Sequence, residues 1–80
     1  MLPDAVLAFL RRAADSAGVP PPDAETLLFE AGILDSFALV ELVALLEDVC
    51  GVGVPDADLR PENFRSLARI EAFVLEKATA

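Results

Sequence analysis

Eighty residues, with six Lys plus Arg against fourteen Asp plus Glu, leave room for one small domain, residues 1–80, at a formal net charge of −8. Histidine is absent, which excludes a Ser-His-Asp triad, a histidine general base and every histidine-containing metal site. Residues 35–58 alone carry six acids and no base, so the clustered Lys and Arg that bind nucleic-acid phosphates are missing, and a basic protein is the natural complement.

In chain order, Met1-Leu2-Pro3-Asp4 has no basic n-region and does not read as a signal peptide. Residues 4–17 place Val6, Phe9, Leu10, Ala13 and Ala17 at helical spacing, with Pro3 suited to the first turn and Gly18 to the end. Residues 19–34 form a long connector in which Pro20-Pro21-Pro22 forbids helix and the apolar patch Leu27-Leu28-Phe29 is expected to pack back on the core.

Asp35 can cap a second helix from residue 36 to about residue 50. At 100° per residue its buried face is predicted to be Leu39, Leu42, Val43, Leu46, Val49 and Cys50. The opposite face holds Phe37, Glu41, Ala44 and Asp48, flanked by Val40 and Glu47. Apolar and acidic together, this stripe has the composition of a docking surface; a solvated face with stray apolar residues is the alternative. Cys50, the sole cysteine, cannot form an internal disulfide, suits a reducing compartment and is expected in the core. The longest apolar run, residues 37–46, is interrupted by Glu41 and too short to cross a bilayer.

Residues 52–55 are too few to form a sheet. Asp56 and Asp58 lack the glycine and closing glutamate of an EF-hand loop, so no metal site is expected there. A short turn or helix is predicted at residues 61–64, with Phe64 as its anchor to the core. Ser66 then caps a last helix with Leu67, Ile70, Phe73 and Val74 on its inner face. The expected fold is all-α, a small four-helix bundle of three long helices and one short, with a long first connector. With no Trp or Tyr, its core is built from Leu, Val, Ile, Ala and Phe.

The segment Leu28-Phe29-Glu30-Ala31-Gly32-Ile33-Leu34-Asp35-Ser36-Phe37 delivers a serine hydroxyl to a helix N-terminus. Without a histidine or nearby lysine as base, Ser36 would be a poor nucleophile in its own right. A phosphate attached there by another enzyme would meet the free N–H groups and positive end of the helix dipole. The alternative is that Ser36 only helps Asp35 start the helix. Phe37, outside the predicted core face, is expected to contact a partner, with burial against the connector as the other possibility.

The order Leu-Phe-x-x-Gly-x-Leu-Asp-Ser-Phe, followed by Val40-Glu41-Leu42-Val43 and Leu46-Glu47-Asp48, resembles the acyl carrier proteins and the discrete aminoacyl or peptidyl carriers related to them. Val54-Pro55-Asp56 and the run Glu62-Asn63-Phe64-Arg65-Ser66-Leu67 extend the resemblance toward the last helix. It implies a monomeric cytoplasmic carrier and not an enzyme, with Ser36 receiving 4′-phosphopantetheine from coenzyme A through a phosphopantetheinyl transferase. The thiol of that arm would hold an acyl or aminoacyl group as a thioester. Asp35 would flank the attachment point and be read by the transferase. With Phe37, Glu41, Ala44, Glu47 and Asp48 it would form the surface addressed by acyltransferase, ligase or synthase partners with basic docking surfaces. Ala38, Leu39, Cys50 and Arg60 depart from the commonest fatty-acid carrier pattern and point to a polyketide or related natural-product pathway. An unmodified helical adaptor, binding one basic partner through the same acidic helix, is the alternative function.

Overall fold

Local signals fix both ends of the first two long helices and the start of the third. The structure, a computed structural model, describes residues 2–79. Helix α1 runs Asp4–Ala17 with Pro3 at its N-cap. It ends where Gly18 turns into the left-handed region at φ 73°, so that the Gly18 and Val19 N–H groups donate to the Asp15 and Ala14 carbonyls. Helix α2 runs Ser36–Cys50, opened by an Asp35 side-chain cap and closed by Gly51 at φ 67°. Helix α3 runs Leu67–Thr79, and the buried Ser66 hydroxyl accepts from the Arg69 N–H at its start. All described residues are helical, turn or irregular, with no strand.

The short fourth helix resolves into two single 3-10 turns, Asp56–Asp58 and Pro61–Asn63. Pro61 presets φ at the first position of the second of these. Polar contacts bind both turns to α3. Asn63 donates from Nδ2 to the Asp58 carbonyl and accepts on Oδ1 from Arg69, while Lys77 pairs with Asp58 and lies over the Phe73 ring.

Leu10, Leu28, Leu42, Leu46, Phe64, Ile70 and Val6 are fully buried and draw the three helices and the connector onto one core. Each such side chain contributes roughly 1.5–3 kcal/mol of transfer free energy. Phe64 sits tilted against Phe73 at 5.2 Å between ring centroids. Two positions depart from the helical-wheel expectation. Val49 is 40% exposed, and Ala17 is exposed while Ala14 takes its place in the core. Both lie in the last turn of their helices. Cys50 is a half-buried free thiol packed against the core.

The connector is ordered by its own hydrogen bonds. The Asp23 carboxylate accepts from the Glu25 N–H and the Thr26 hydroxyl, and these contacts, the Glu25 N–H first, hold its pKa below the ordinary 3.8. Beyond it Leu28 is fully buried and Phe29 half-buried, as the apolar patch implied, but Leu27 stays 45% exposed. The Leu28 carbonyl accepts from both Ile33 and Leu34 N–H groups, closing a loop that needs Gly32 at φ 82°. That loop aims the chain into α2. No helix among the described residues is long and apolar enough to cross a membrane.

Candidate functional site

At the entry to α2, Asp35 lies in extended conformation and its Oδ1 accepts from the Ala38 N–H at 2.8 Å, while its carbonyl accepts from the Leu39 N–H. Asp35 alone therefore provides the side-chain cap. Ser36 becomes the first helical residue, exposed, with its hydroxyl not required to start the helix. At this position the Ser36 and Phe37 N–H groups have no intrahelical acceptor. A phosphodiester on the Ser36 oxygen would thus lie beside unpaired donors at the positive end of the α2 dipole. The residues present fit such a group: an accessible hydroxyl, a separate cap and an anion-favouring helix end.

The outer face of α2 is assembled as its spacing implied. Phe37 is 73% exposed, which removes burial against the connector as its role, and Val40 is 61% exposed. Glu41, Ala44, Glu47 and Asp48 are exposed on the same helix. Two large apolar side chains held in water within the first two turns of an acidic helix have no use in the core.

Glu47 differs from its neighbours. Its Oε2 accepts from the Val54 N–H at 3.0 Å, tying residues 51–55 back to α2. Glu47 is on the acidic surface and also a structural tether, a pairing across seven residues that no helical periodicity signals. A second feature missed in the sequence flanks the face on its α1 side, a depression of about 420 Å³ floored by Phe9, Ala13 and Ala38 and rimmed by Arg12, Ser16 and Glu41. Its only advance sign was the apolar spacing of α1. Among the described residues no group of three or more Cys, Asp and Glu side chains is placed to hold a metal ion.

The phosphopantetheine attachment site family matches residues 8–74. Among curated proteins, lincomycin biosynthesis protein LmbN of Streptomyces lincolnensis is 42% identical over 71 residues, which cover 89% of this chain and 26% of that protein. The chain thus spans about a quarter of the length of this relative. No solved structure shows a significant match.

Proposed function

The chain belongs to the phosphopantetheine attachment family, whose members carry covalent 4′-phosphopantetheine, and from that premise we propose that Ser36 is the attachment point and that the protein is a non-catalytic acyl or aminoacyl carrier. The observation that supports it is the exposed Ser36 hydroxyl at the first position of α2, left unengaged because Asp35 makes the cap. In the transfer, the Ser36 oxygen attacks the phosphorus of coenzyme A that bears the pantetheine. The bond from that phosphorus to the bridging oxygen breaks, adenosine 3′,5′-bisphosphate leaves, and the serine proton passes to a base of the transferase. This chain offers no histidine for that role, and its nearest carboxylate, Asp35, is engaged by the Ala38 N–H.

Once attached, the arm supplies a terminal thiol that holds the cargo as a thioester. The chain's own residues do the rest. Asp35 fixes the serine's position. Phe37 and Val40 offer apolar contact, and Glu41, Ala44, Glu47 and Asp48 form the strip read by a basic phosphopantetheinyl transferase and by acyltransferases, ligases or synthases. Exposed charge contacts of this kind are individually modest, which suits a protein that must visit several enzymes and leave each. The relative named for lincomycin biosynthesis favours a polyketide or related natural-product pathway. Because coenzyme A serves as donor, the cytoplasm is the expected site of loading.

Incubation with coenzyme A and a broad-range phosphopantetheinyl transferase, followed by intact-mass measurement, should show one phosphopantetheine addition that is absent from Ser36→Ala. No addition, or one that persists in Ser36→Ala, would end this assignment.

A further inference from the structure

The depression of about 420 Å³ between α1 and α2 has an apolar floor and one charge of each sign on its rim, Arg12 on α1 and Glu41 on α2. We propose that it seats two turns of a helix from a partner protein, with an apolar side chain over Ala13 and Ala38, a carboxylate toward Arg12 and a base toward Glu41. The inference concerns recognition and stands whether or not Ser36 carries an arm.

Small residues at facing positions give the groove its shape. Phe9, Ala13 and Ser16 recur at i, i+4 and i+7 along α1, and Ala38 and Glu41 at i and i+3 along α2, so each set lies on one face of its helix. Ala13 and Ala38 offer only a methyl group each where the two helices pack, and both remain half-buried. A longer side chain from outside has room there. From Phe9 to Ser16 the groove follows α1 for about 10.5 Å at about 1.5 Å per residue, the length of two turns of a helix laid along it.

Charge gives the occupant its chemistry. Arg11 and Arg12 are the only bases in residues 1–59. Arg12 is in no ion pair among the described residues, neither with Glu41 across the groove nor with Asp15 one turn along α1, and Glu41 is equally unpaired. Both side chains are exposed. Two opposite charges that share a rim without meeting are left for a visitor to complement. A partner basic throughout, as suits Glu41, Glu47 and Asp48, would set a cation against Arg12, whereas one that places a carboxylate there gains a contact. Arg12 thereby sorts among basic partners. A second copy of this chain is disfavoured as occupant by its own net charge of −8.

The probe is an alanine-based helical peptide of about 17 residues, with Leu at its centre, Lys one turn to one side and Glu one turn to the other. Its isomer exchanges that Glu with a Gln on the opposite face and so keeps the net charge. Titrated into the full chain at about 0.15 M salt, the peptide should shift the amide resonances of Phe9, Ala13 and Ala38 and bind about two- to fivefold more tightly than its isomer. That preference should vanish in Arg12→Gln. Ala13→Leu, which fills the groove, should abolish the shifts at Phe9 and Ala38 from both peptides, with urea unfolding reporting that the variant is folded; the Arg12 comparison decides alone if it is not. No binding, shifts centred on Phe37 and Val40 without Phe9 and Ala13, or a preference that survives Arg12→Gln overturns the inference. Resonances of the groove that move with protein concentration before any peptide is added would give it to a second copy and overturn the inference as well. Each of these outcomes leaves the attachment at Ser36 to be decided by intact mass.

Discussion

Asp35 and Ser36 divide two tasks that a helix start often gives to one residue. The Asp35 carboxylate satisfies the Ala38 N–H and so leaves the Ser36 hydroxyl exposed and uncommitted. Replacing Asp35 by Ala should cost about 0.5–2 kcal/mol in urea unfolding, while Asp35→Asn, which keeps an acceptor, should retain most of the cap. Equal losses in the two variants would show that the charge and not the hydrogen bond matters at this position. Gly32 has a comparable local role: at φ 82°, with no atom near enough to meet a Cβ, it is needed for backbone conformation and not for space.

At the scale of the element, α2 carries two different surfaces on one cylinder. Leu39, Leu42, Val43 and Leu46 hold it to the core, and Phe37, Val40, Glu41, Ala44 and Asp48 face water. Among its acids, Asp48 and Glu47 should respond differently to charge reversal. Asp48→Arg is expected to lower kcat/KM for phosphopantetheinyl transfer at low salt by about two- to fivefold with amide exchange at Val54 unchanged. Glu47→Lys should both slow transfer and speed exchange at Val54, because it removes the acceptor that holds residues 51–55. If Val54 exchange is the same in both variants, the tether does not hold that loop. The wheel of α2 could be drawn from its sequence, and its outer face was legible in full. The Glu47 tether was not, since it depends on how Gly51 turns the chain back along the helix.

Across the whole molecule, a few large side chains unite elements that make limited contact otherwise. For 80 residues, a net stability of about 4–12 kcal/mol is typical. Phe64 is fully buried between the 3-10 turns and α3 and packs on Phe73, so Phe64→Ala should cost about 3–5 kcal/mol in urea unfolding, a quarter or more of the total. A loss below about 1 kcal/mol would mean that the segment is held instead by Asn63, Arg69, Asp58 and Lys77. The acids behind the net charge of −8 lie outside this core. The Lys77 and Arg69 contacts lie on the α3 side, away from the unbroken acidity of α2.

The sequence by itself determined the three long helices, the glycine stops after α1 and α2, the capping aspartate beside the serine, and the acidic, apolar outer face of α2. These are local properties, decided by spacing, capping and φ preference within a few residues. It did not determine that Val49 and Ala17 would be left in water, that Glu47 would reach Val54, or that Leu27 and Phe29 would face Pro61 and Arg65 across a groove. Each of these depends on where a second element ends or passes. Only packing the connector and the 3-10 turns onto the helices decides that, because neither segment has a periodicity of its own from which its neighbours could be read.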